Sequence, residues 1–174
     1  DLPSRRNVIL LPKCYESPWS KTLPVFEALK LCWEKISPCK IIMLAMNDET
    51  KMWYWDLPSK IRNNCEIFNR IPQQDVLNIM VKTRIMLAPS LIDGIPNSMY
   101  EAMAAGAFPI VSPLSTLKPI VTDKQNVLFA RNLYPNEIAD AITLAMKDDE
   151  LIDNAAIANF DFVQKNADRK KNQN

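Results

Sequence analysis

The sequence predicts a doubly wound α/β domain: a parallel sheet of about six strands with Rossmann-like topology and helices on both faces. Three observations carry that reading. Short apolar runs alternate with segments of helical periodicity from one end of the chain to the other, the pattern of a parallel sheet covered on both sides. The chain has 174 residues, 48% of them hydrophobic, enough for one domain with its own core over residues 1–174. Finally, its two glycines, Gly94 and Gly106, both fall within residues 84–112, so the sharpest backbone turns are concentrated there.

The elements follow in order. Residues 7–12 (NVILLP) read as the first strand and 13–21 (KCYESPWSK) as a loop. A helix is expected over 22–36, with Val25, Phe26, Leu29, Cys32, Trp33 and Ile36 as its buried stripe. Residues 39–46 form the second strand, and the aromatic cluster Trp53, Tyr54 and Trp55 reads as packing a short helix onto the sheet, with docking of a partner domain or stacking of an acceptor sugar as the other readings. A strand over 66–70 and a helix over 72–83 come next, the helix burying Val76, Leu77 and Met80. After residue 112 the chain predicts a strand over 126–130, an amphipathic helix over 134–147 and a helical tail from 150 to about 165.

The stretch 84–112 is the most informative. An apolar run ending at Pro89 reads as a buried strand, and Asp93-Gly94 as a turn. Pro96 suits the first position of a helix, because its missing N–H would have no partner there. Ala102, Ala104 and Ala105 let that helix lie close to a sheet, and Gly106 fits the left-handed position just past its end. Strand, loop and helix N-terminus make an anion-binding corner, with the N–H groups of Asn97, Ser98 and Met99 pointing outward. Two carboxylates flank it, Asp93 and Glu101, with seven residues between them. Glu101 stands roughly 7–8 Å along the helix from Pro96. Each acid alone reads as a turn residue or a solvated helix position. Together they suit an anion with hydroxyl groups on both sides, such as a sugar, a diphosphate and a ribose.

Residues 93–106, DGIPNSMYEAMAAG, resemble the signature of the family-4 retaining glycosyltransferases, whose B-type fold joins two Rossmann-like domains. The resemblance implies that Glu101 binds the ribose hydroxyls of a nucleotide. It also implies that Asp93, with backbone groups of Gly94, Ile95, Asn97, Ser98 and Met99, holds the donor sugar and its phosphates. The family has Glu where this chain has Asp93, a side chain one methylene shorter. Lys13 and Lys21 align with the family's diphosphate-binding arginine and lysine, in a loop a few residues longer. The other reading of both is a solvated loop lysine. Arg70 and Ile71 correspond to the segment that presents backbone groups to the base. Ser115, Thr116 and Lys118 stand where the family has two glycines and a Pro-Glu pair. The likeness covers nearly the whole chain, strongly over 84–106 and loosely elsewhere.

The resemblance implies the donor-binding domain of a metal-independent glycosyltransferase that moves a hexosyl unit, with retention, from a nucleotide-diphosphate sugar to a glycan or lipid-linked acceptor. Lys13 and Lys21 would stabilise the leaving diphosphate, and Asp93 would position the sugar. No cofactor is implied beyond the sugar nucleotide as substrate. The family's N-terminal acceptor domain has no counterpart here, so the chain reads as one domain of a longer protein, with little turnover by itself. Two other classes stay open. One is a sugar-nucleotide-binding or scaffold module with the same fold. The other is a dinucleotide-binding dehydrogenase domain, disfavoured because Pro12-Lys13-Cys14 stands where GxGxxG would follow the first strand.

Composition narrows the partners. The net charge is +1, with basic residues spread along the chain, which gives no reason to expect nucleic acid. The four cysteines have no CxxC spacing and histidine is absent, so no zinc site is expected. Free thiols suit a cytoplasmic location. No signal-peptide or membrane-spanning run is found. The basic tail KNADRKKNQN reads as a frayed end or as peripheral membrane contact.

Overall fold

The computed structural model describes residues 1–89 and 97–172. Its described elements are β1 (Val8–Leu11), α1 (Leu23–Ile36), β2 (Lys40–Leu44), α2 (Asp48–Trp55), α3 (Ser59–Arg62), β3 (Cys65–Phe68), α4 (Gln73–Met80), β4 (Ile85–Ala88), α5 (Asn97–Ala104), β5 (Phe108–Val111), β6 (Leu128–Phe129), α6 (Pro135–Lys147) and α7 (Asp149–Asn172). The six strands form one sheet in the order β3-β2-β1-β4-β5-β6, and every pairing is parallel. This is the doubly wound arrangement the sequence predicts. The strand order reverses between β1 and β4, so a crevice opens there at the carboxyl ends of the strands.

Side chains alternate across the sheet with a period of two. Ile9 and Leu11, Ile41 and Met43, and Ile85 and Leu87 enter the layer beneath α1 and α6. Leu10, Ile42, Leu44 and Met86 face the other way, toward Met80 of α4 and Ala102 of α5. The expected stripe of α1 is buried in full, as are Ile138, Ala141, Ile142 and Ala145 of α6. On α4 only Met80 is buried, while Val76 and Leu77 stay partly exposed. The aromatic cluster divides in the same way. Tyr54 is buried and Trp53 packs against the core. Trp55 is 62% exposed and lies under the Arg62 guanidinium.

Two local details explain how α5 and β5 are held. Gly106 has φ of +82°. Its N–H donates to Met103 O and that of Ala107 to Ala102 O, the paired bonds that close a helix through a left-handed residue. Pro109 sits inside a buried strand yet leaves no ladder bond broken. The Phe108 N–H donates to Arg84 O on the β4 side, so residue 109 turns toward β6. Pairing with β6 begins only at Ile110. The sixth strand is shorter than expected, two residues rather than five, because the chain before it is taken up by turns around Leu117 and Val121.

Candidate functional site

Every strand of a parallel sheet ends at the same edge, and each following helix begins there. That edge therefore collects loops and helix N-termini, with their unpaired N–H groups and positive dipole ends. In this chain it carries two adjoining cavities. One, of about 390 Å³, is walled by Lys13 and Tyr15 after β1, Ala45 after β2, Arg70, Ile71 and Gln73 around the start of α4, and Asn97, Ser98 and Glu101 of α5. The other, of about 340 Å³, lies between the β1–α1 loop and the end of β4, with Tyr15, Ser17, Trp19, Ser20 and Lys21 on one side and Leu87, Ala88 and Pro89 on the other. Pro12, Lys13, Tyr15 and Ser98 belong to both walls.

The sequence-derived residues do not all fall in one place. Lys13, Arg70, Ile71, Asn97, Ser98 and Glu101 converge on the larger cavity, although they come from two loops and a helix. Lys21 lies at the smaller cavity. Met99 is wholly buried in the core beside Met103 and Val111, so only its backbone N–H can take part in a site. Asp93, Gly94 and Ile95 lie outside the described residues. Lys118 is exposed and lines neither cavity.

The two lysines differ in their surroundings. Lys13 is exposed and has no hydrogen bond or ion pair among the described residues. The Lys21 ammonium lies 3.0 Å from Glu16 Oε1, and the two side chains are 39% and 12% exposed. Glu101 accepts a hydrogen bond from the Gln73 amide through Oε2, which leaves Oε1 without a protein partner among the described residues. A carboxylate with one oxygen held and the other open suits a diol, because it can accept from one hydroxyl while its position stays fixed.

Sequence reasoning missed the residues that fix this edge. Asn47 starts α2, its side-chain oxygen accepting from the Thr50 N–H at 3.2 Å, and its amide donates to Glu16 O at 3.2 Å. The buried Asn132 accepts from the Lys21 N–H at 2.8 Å and donates to Lys21 O at 3.0 Å. Ala45 adopts a left-handed conformation, φ +59°, at the wall of the larger cavity, a state that costs about 1–2 kcal/mol for a residue with a Cβ. An asparagine or alanine at such a point carries no periodicity or spacing to mark it. Only the Glu16–Lys21 pair left a trace, as opposite charges in one short loop.

No group of His, Cys, Asp and Glu among the described residues is arranged to hold a metal ion. The four cysteines are free. No helix among the described residues is long and apolar enough to cross a membrane.

Comparison with known proteins agrees with this architecture. No curated protein sequence matches the chain. Solved structures do. The C-terminal domain of LpcC, a glycosyl transferase group 1 family protein from Francisella tularensis, superimposes with a TM-score of 0.74 at 16% identity, over 94% of this chain and 87% of that one. HepE from Anabaena, in complex with UDP-glucose, gives 0.77 at 14% identity over 94% of this chain and 45% of its own. TarM from S. aureus, in a complex containing UDP, gives 0.77 at 14% identity over 92% and 32%. The chain thus spans less than half the length of these larger proteins. Residues 24–159 match the family described as glycosyl transferases group 1. The chain therefore belongs to the group 1 glycosyltransferases, with the fold of the C-terminal Rossmann-like half of a B-type enzyme.

Proposed function

We propose that this domain binds the nucleotide-diphosphate sugar donor of a retaining, metal-independent glycosyltransferase that transfers a hexosyl unit to a glycan or lipid-linked acceptor. The observation that carries the reading is the convergence of Lys13, Arg70, Ile71, Asn97, Ser98 and Glu101 on one cavity at the switch point of the sheet. Those residues, with Lys21 at the adjoining cavity and Asp93 from the sequence motif, divide into the parts such a ligand needs. Glu101, steadied by Gln73, accepts from the ribose hydroxyls. Backbone groups near Arg70 and Ile71 meet the base. Lys13, Lys21 and the N-terminus of α5 face the diphosphate, and Asp93 holds the transferred sugar. HepE, which shares the fold, was crystallised with UDP-glucose, and this supports a nucleotide sugar as the ligand class.

The chemistry follows from charge. Cleaving the glycosyl–phosphate bond places negative charge on the departing diphosphate. Preorganised donors aimed at that charge lower the barrier by about 3–4 kcal/mol each in well-placed cases. Here the donors are two lysines and a helix N-terminus, none of which requires a metal. The acceptor is bound by a second Rossmann-like domain, and the departing phosphate takes the acceptor's proton on the same face of the sugar.

The test is thermal unfolding against UDP-, GDP-, ADP- and dTDP-sugars, with Glu101→Gln alongside. A ligand at a hundred times its dissociation constant stabilises by about 2.7 kcal/mol. One nucleotide series is expected to stabilise the wild type and to lose most of that effect in the variant. Equal stabilisation of both proteins would remove Glu101 from the site.

A further inference from the structure

Lys21 is the one candidate diphosphate ligand in the described residues that already has an anionic partner, and the architecture around that partner is unequal. Glu16 is fixed on every side. Its Oε2 accepts from the Thr22 N–H at 3.0 Å, and its own carbonyl accepts from the Asn47 amide at 3.2 Å. Its N–H lies 3.4 Å from Asn47 Oδ1. The Thr22 hydroxyl donates to Tyr15 O at 3.3 Å, which closes the loop on itself. Lys21 is fixed only at its backbone, by the reciprocal bonds to Asn132. Its ammonium is held by Glu16 Oε1 alone among the described residues, and its side chain is more than a third exposed at a cavity that Glu16 itself does not line. In this pair the acid is the anchor and the lysine is the movable member.

We infer that Glu16 restrains Lys21 by charge, so that a diphosphate entering the cleft must compete with Glu16 for the ammonium, and that Glu16 thereby weakens the grip of the site on its nucleoside diphosphate product. The inference rests on the donor-site reading above. A restraint of this kind has a definite sign. Removing the Glu16 charge while keeping its acceptor for Thr22 frees a positive charge beside the cavity and strengthens anion binding. A merely structural role for Glu16 would weaken binding or leave it unchanged. Glu16 is a positioning residue on this account, because it acts on the ligand only through Lys21.

The experiment measures dissociation constants of UDP, GDP, ADP and dTDP, and of inorganic pyrophosphate as a probe that needs no base, for the wild-type chain, Glu16→Gln, Glu16→Asp, Lys21→Met and the double variant Glu16→Gln/Lys21→Met. Glu16→Gln is expected to bind the preferred diphosphate about fivefold more tightly, the upper range for a partly exposed pair, with a steeper decline as salt is raised. Glu16→Asp keeps the charge and should stay near the wild type. In the Lys21→Met background the gain from Glu16→Gln should vanish, as the double-mutant cycle requires of a coupled pair. If nucleotides bind and Glu16→Gln is no tighter than the wild type, the restraint is overturned while the donor site stands. If pyrophosphate binds and no nucleotide does, the donor reading fails, and the pyrophosphate series still reads the sign at Glu16. If neither binds, both fail.

Discussion

The two edges of the sheet treat their cationic side chains in opposite ways. At the amino edge Arg6 donates to Ala105 O at 2.8 Å and to Thr83 O at 3.3 Å. Arg84, 3% exposed, donates to Ala145 O at 2.9 Å and to Ser4 O. Its Nη2 lies 2.9 Å from Asp149 Oδ1, an ion pair off the line of a hydrogen bond. The carbonyls of Thr83, Ala105 and Ala145 sit at or near the ends of α4, α5 and α6, where the dipoles are negative and the last C=O groups lack partners. At the carboxyl edge Lys13 has no partner among the described residues and Lys21 has only Glu16, beside helix N-termini of the same sign as themselves. A cation at a helix C-terminus completes the fold. One beside the helix N-termini at the carboxyl edge satisfies no such carbonyl, and the donor-site proposal gives it an anion to meet.

That contrast is sharpest in stability. Arg84→Met orphans Ser4 O and Ala145 O and should cost about 2–4 kcal/mol. Thermal unfolding should show a midpoint roughly 10 °C lower, with nucleotide binding by the folded fraction unchanged. Gly106→Ala acts at the same edge. It forces a Cβ into a left-handed conformation 3.2 Å from the Arg6 guanidinium and should cost about 1–2 kcal/mol. A neutral outcome in urea titration would show that the backbone at residue 106 relaxes out of the left-handed region and that the amino edge is looser than its bonds suggest. Lys13→Met, at the other edge, should change stability by less than about 0.5 kcal/mol while lowering diphosphate affinity about tenfold, read by calorimetry.

The smallest effect concerns the thiols, one near each edge. Burial pushes Cys39 up to about 11 and Cys14 higher still. The unfolded chain begins to release thiol protons near pH 8.5 while the folded chain holds them. The folded state then binds more protons, and stability falls as pH rises. The loss is about 0.4 kcal/mol per thiol at pH 8.5 relative to neutrality, measurable as a declining midpoint between pH 7 and 9. Alkylation of the native protein should be equally slow at both cysteines. Faster modification of Cys14 would mean that the ligand edge opens while the amino edge stays shut.

How much of this was legible beforehand depends on the range of the interaction. The α1 stripe, the strand at 84–89 and the left-handed Gly106 were readable because periodicity and turn chemistry act within a few residues. The convergence of Lys13, Arg70 and Glu101 was readable only through a resemblance, since nothing local connects residues so far apart. The bonds from Asn132 to Lys21, 111 residues apart, and from Arg84 to Ala145 left no trace at all. A buried polar side chain satisfied by distant backbone looks, in sequence, like any surface residue. Val76 and Leu77 show the converse: helical spacing marked a stripe correctly but not how deeply a peripheral helix sinks it.

The wall shared by the two cavities has a consequence for ligands of different length. Pro12, Lys13, Tyr15 and Ser98 line both, so the two cavities share a partition. A molecule confined to one side gains from that side only. A molecule that crosses the partition brings its second half in at an effective concentration set by its own linker, in the millimolar range for a short flexible one. On the donor-site proposal, affinity would then depend on a ligand's reach as well as on its composition. Two fragments offered separately at equal concentration should not reproduce the binding of the same fragments joined.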